Sequence, residues 1–72
     1  METTNMKRIG RSVKYLAEHM DEYNYEEFTD ATQNILDDAR NTIFDKYFCE
    51  CTLTHLKNLM SLYRYLKMGQ YH

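Results

Sequence analysis

Seventy-two residues, 43% of them hydrophobic and 14% aromatic, describe one small folded domain, too short to enclose a sizeable catalytic cleft. A net charge of -2 weighs against a general nucleic-acid binder, and a mean hydropathy of -0.75 describes a well-charged surface. With no proline and only two glycines, Gly10 and Gly69, the chain lacks the punctuation of a many-stranded protein, so an all-α fold is expected.

The first helix is predicted over about residues 5–21, where Met6, Ile9, Val13, Leu16, Ala17 and Met20 fall on one arc at helical spacing and Thr3 or Thr4 can cap its start. Gly10 sits inside it, consistent either with a close helix crossing or with nothing at all. A second helix is predicted over about 25–48. Asn24 is its N-cap, Glu26 and Glu27 lie in its first turn, and Phe28, Thr32, Ile35, Leu36, Ala39, Ile43 and Tyr47 form its inward stripe. Glu26, Asp30, Asp37, Asp38 and Asp45 occupy the opposite side, toward which Phe44 and Phe48 also project; a bend, a helix end or a second contact surface would account for those two rings.

The third helix is predicted over about 53–68, with Thr52 as its cap and Gly69 as its stop. Leu53, Leu56, Met60 and Tyr63 make one apolar stripe, and Leu59, Leu62 and Leu66 a second beside it, with His55 at its edge. Together they cover about half the circumference, more than the ≳100° arc of an ordinary amphipathic helix. Three such helices make a small bundle or a helical hairpin that dimerises, a single domain with frayed ends at about 1–4 and 69–72.

Charge is distributed unevenly: residues 1–17 carry Lys7, Arg8, Arg11 and Lys14 against Glu2, residues 18–50 carry ten acids, and residues 51–72 carry Lys57, Arg64 and Lys67 with no acid. An acidic middle helix between two basic ones attracts both. No stretch reaches the ~20 apolar residues of a membrane span, and METTNMKRIGRS has no apolar leader core. Cys49 and Cys51, one residue apart, cannot staple distant segments; a cytoplasmic, reducing location is the expectation.

Cys49, Cys51 and His55 form a C-x-C-x3-H pattern of zinc-type ligands, but structural zinc takes four protein ligands, and only Glu50 and His72 are candidates to complete the set. Semi-buried cysteines at a helix junction explain the pattern better, so no metal or cofactor is expected. There is no glycine-rich phosphate loop, no H-E-x-x-H and no G-x-S-x-G, hence no positive sign of an enzyme. The expected function is that of a small regulatory or adaptor protein of phage or plasmid type, acting by protein–protein interaction. It would be a homodimer through Phe44, Phe48, Leu59, Leu62, Tyr65 and Leu66, association burying the second leucine stripe. The alternative is a DNA-associated regulator that contacts phosphates through Lys7, Arg8, Arg11 and Lys14 on the face of the first helix opposite its apolar arc. As a variant of protein binding, the acids Glu26, Asp30, Asp37 and Asp45 could imitate phosphates toward a basic partner.

Overall fold

A computed structural model describes residues 2–69. Helix α1 spans Glu2–Glu18, a 3-10 turn spans Met20–Glu22, and helices α2 and α3 span Tyr25–Thr42 and Lys46–Gly69. The described residues contain no strand. The fold is an all-α, bundle-like one, 46 Å long and 18 × 16 Å in section, with the 24 residues of α3 as its longest helix.

Helix α1 buries Ile9, Val13 and Leu16, with Met20 following from the 3-10 turn, and Met6 and Ala17 pack at the margin. The arc expected from spacing is thus the arc that meets the core. The helix begins earlier than its threonines suggest, so Thr3 and Thr4 lie within it and not at its cap. Its end is local: the His19 ring stacks on Tyr15 at 3.9 Å and its Nδ1 sits 2.7 Å from the Tyr15 carbonyl.

Asn24 opens α2 with a complete capping box. The Glu27 amide donates to Asn24 Oδ1 at 2.8 Å and the Asn24 amide to Glu27 Oε1 at 3.0 Å, satisfying two donors that a helix start leaves without partners. Phe28 then enters the core fully, followed by Leu36 and Ala39, and Ile43 after the helix end.

The second connection lies at residues 43–45 and not at 49–52. Ile43 is extended, at φ -124° and ψ 120°, and the Asp45 carboxylate accepts from the Phe48 amide at 3.1 Å, starting a new helix. Asp45 is therefore a cap and not a member of the acidic face of α2. Thr52, expected as a cap, is instead a buried side chain within α3, and Tyr47, expected to point inward, is 76% exposed. Cys49 turns its Sγ back toward the carbonyls of Ala39 (3.7 Å), which also accepts from the Ile43 amide, and Ile43 (3.5 Å) at the end of α2.

Helices α1 and α3 both lie against α2. The Phe28 and Tyr63 rings stack at the centre, 4.2 Å between centroids and 12° between planes, with Tyr23 edge-on to Phe28. One polar clamp holds α1 to the end of α2: Arg8 forms a two-pronged pair with Asp38, its Nη2 donating to Oδ1 at 3.1 Å, and Asn5 Nδ2 donates to the Thr42 carbonyl at 3.3 Å. The Arg8 hydrogen bonds hold the Asp38 carboxyl below its usual value. Asp38 thus belongs to the seam between helices and not to the solvated side of α2. On the other side, Arg64 of α3 donates to the Tyr25 hydroxyl at 3.3 Å, and that contact lowers the phenol's pKa. Among the described residues, the expected attraction between basic and acidic helices therefore takes the form of one α1–α2 ion pair, while Arg64 of α3 meets a tyrosine of α2.

Candidate interaction surface

The six apolar residues expected at an interface divide into two groups. Leu59 is 7% exposed and belongs to the core, and Phe48 is half-buried against it. Leu62, Tyr65 and Leu66 are 48%, 75% and 40% exposed, and Phe44 protrudes at 87% from the α2–α3 connection, away from the others. Of the two stripes on α3, the one containing Leu56 and Tyr63 docks on α2 and takes Leu59 with it, leaving Leu62 and Leu66 outside.

Because α3 begins at Lys46, its outer face is longer than the leucines suggest. Going along the exposed arc, Tyr47, Cys51, Thr54, His55, Asn58 and Ser61 lead into Leu62, Tyr65 and Leu66, and none of these residues carries an obligatory charge. In a chain that is 28% charged, an exposed strip of roughly 30 Å without Asp, Glu, Lys or Arg is a distinct surface. The acid and bases of α3 that flank it, Glu50, Lys57 and Arg64, lie along one border at spacings of seven. The other border is a groove between α1 and α3, walled by Gly10, Val13, Lys14 and Ala17 on one side and Phe48, Cys51 and His55 on the other. A Cβ built at Gly10 meets no atom within 4 Å, so that wall is low and Gly10 marks no helix crossing.

Of the strip's members, His55 is the one that sequence reasoning places at a stripe's edge; Tyr47 and Cys51 are missed for one cause, and Asn58 because a single polar residue between leucines gives no signal. A helix break placed at 49–52 assigns Tyr47 to a different element and leaves the strip too short to notice. The usable signal is the charge-free arc, visible once Asp45 is recognised as a cap.

The cysteine–histidine pattern does not converge. Cys49 faces the end of α2 while Cys51 lies on the outer face, and no group of three His, Cys, Asp or Glu side chains among the described residues is arranged to hold a metal. His72 lies outside the described residues. Lys7, Arg11 and Lys14 are exposed on α1, whereas Arg8 is held by Asp38 and its guanidinium faces α2. Glu26, Asp30 and Asp37 are exposed on α2, with Asp37 accepting from Gln33 Nε2 at 2.9 Å. No helix among the described residues is long and apolar enough to cross a membrane.

In comparisons with known proteins, no family model, no curated protein and no solved structure matches this chain.

Proposed function

We propose that this protein is a small non-catalytic regulator or adaptor that works by docking protein on the uncharged outer face of α3, with a second copy of itself as the first partner. The observation that supports this reading is the strip from Tyr47 to Leu66, exposed, uncharged and aromatic at intervals, in a chain otherwise well supplied with charge. The strip is polar in its middle, at Thr54, His55 and Asn58, and apolar toward its end, at Leu62, Tyr65 and Leu66, with charges along one border and a groove along the other. Association through it would cover Leu62 and Tyr65 and leave the basic row of α1 and the acids of α2 to select a target by charge.

Light scattering over a concentration series tests the reading. A mass near twice the 8.8 kDa of one chain is expected, and a single-chain mass at every concentration would overturn self-association.

A further inference from the structure

Resting on the reading above for the second copy, we infer that Cys51 and His55 are half of a zinc site on α3, that the same two residues of another copy complete it, and that one divalent ion therefore joins two chains. Helix α3 sorts the three residues of the C-x-C-x3-H pattern into two environments. Cys49 points its Sγ at the carbonyls that end α2, whereas Cys51 and His55 stay together, one turn apart on the outer face.

Side chains four positions apart on a helix are neighbours, with Cβ atoms ~5–6 Å from each other. That gap suits a single ion held ~2.3 Å from a sulfur and ~2.0 Å from an imidazole nitrogen, and the same spacing on one helix face is how the paired histidines of an H-E-x-x-H helix bind zinc. Both side chains are exposed, and among the described residues no hydrogen bond or ion pair engages either of them. Neither has to give up a contact in order to bind. Both also line the groove beside Gly10, where a Cβ would meet nothing within 4 Å, so an ion can approach from that side without displacing α1.

The count of ligands calls for the second copy. Structural zinc takes four protein ligands, and among the described residues no third His, Cys, Asp or Glu is arranged to join this pair. A two-fold axis through the ion repeats the pair and gives two sulfurs and two imidazole nitrogens, the Cys2His2 set that zinc binds tetrahedrally. On binding, each thiol releases its proton to solvent and its sulfur donates an electron pair to zinc, while the ion sheds bound water. Two thiolates neutralise the divalent charge. Lys14, which lines the same groove, then faces a centre with no net charge and does not oppose it.

Mass measurements on the full chain, kept reduced and stripped of metal by a chelator, test the site. Zinc chloride should lower the protein concentration at which the mass doubles by roughly tenfold or more, and excess chelator should reverse the shift. Cobalt(II), used as a coloured probe, should saturate at one ion per two chains with a thiolate-to-metal absorption band. Cys51→Ser and His55→Ala should each abolish the zinc shift, Cys49→Ser should retain it, and circular dichroism checks that every variant folds. A wild type that doubles in mass without zinc and is unmoved by it would overturn the metal site and leave self-association standing. Doubling that occurs only with zinc would support the metal site and overturn pairing of the bare chains. One ion per chain at a single-chain mass would overturn the shared site, and loss of the shift in Cys49→Ser with its retention in His55→Ala would overturn the choice of ligands. A single-chain mass with and without zinc would remove both readings.

Discussion

The Tyr63 hydroxyl donates to the Tyr23 carbonyl at 2.6 Å while the same ring stacks on Phe28 at 4.2 Å. One side chain of α3 therefore grips both the connection between α1 and α2 and the buried start of α2, where Phe28 is 0% exposed. Tyr63→Phe keeps the stack and removes the donor, and should lower stability by about 1 kcal/mol. Tyr63→Ala removes the ring as well and should lower it by about 3–5 kcal/mol. Urea midpoints of the two variants separate these contributions; equal losses would show that the ring contributes nothing beyond its hydroxyl.

The capping box at Asn24 gives a second measure of how local sequence starts an element. Asn24→Ala leaves the Glu27 amide without its 2.8 Å acceptor and should cost about 1 kcal/mol. Asn24→Gly, which keeps a permissive backbone but no acceptor, should cost less, since glycine is the mildest replacement at such a position. Thermal melts compare the two, and a larger loss for glycine would mean that the cap hydrogen bond is not what holds the start of α2.

These two sites also show what could be read before any coordinates. The apolar arc of α1 and the Asn24–Glu27 pair are legible because the spacing within one helix decides them. Tyr63 is legible as an inward residue for the same reason. The break at 43–45 is only half legible: Phe44 and Phe48 leave the inward stripe, for which a helix end is one of three explanations, but Ile43 and Tyr47 continue the stripe at an interval of four, no glycine or proline interrupts them, and Asp45 sits in register with an acidic row. Leu59 fails differently. It stands between two adjacent stripes on α3, and only the position of α2 decides which stripe is covered. Leu62, Tyr65 and Leu66 are legible as apolar surface in excess of one core, whereas the length of the uncharged strip depends on where α3 begins.

Gly10 lies in the interior of α1 with open space where a Cβ would go. Gly10→Ala should therefore stabilise the chain by up to about 1 kcal/mol, the difference in helix propensity, with no clash to offset it. A melt on dilute protein, where folding is least mixed with association, checks this. A destabilised variant would show that something occupies the groove beside Gly10.

The Arg8–Asp38 pair predicts the sign of a pH effect. Because the folded Asp38 carboxyl is held below its ordinary value of about 3.9 by hydrogen bonds from Arg8, the folded state binds a proton there less readily than the unfolded chain. The pair's contribution is therefore fully present above pH ~4 and lost as pH falls through the lower folded value. Asp38→Asn should reduce the urea midpoint slightly at pH 7, by the small amount usual for an exposed pair, and the gap from wild type should close toward pH 2. A gap that is the same at pH 7 and pH 2 would mean that Asp38 acts through packing and not through its charge.

Leu62→Glu bears directly on the outer face of α3. Leu62 is 48% exposed in the single chain, so glutamate there meets water, and the folding of one chain should change by no more than about 0.5 kcal/mol. In a pair of copies joined through that face the same residue would be covered, and two carboxylates would have to leave water. The bases of α3, Lys57 and Arg64, stand on its charged border and not beside Leu62. Burial of charge without a partner is a large penalty, so the variant should have a single-chain mass at concentrations where wild type is dimeric, with an unchanged helical circular dichroism spectrum. Leu62→Met, which keeps the apolar contact, should behave as wild type. If the glutamate variant associates as well as wild type, the interface lies elsewhere, and the exposed Phe44 at the α2–α3 connection becomes the next residue to replace.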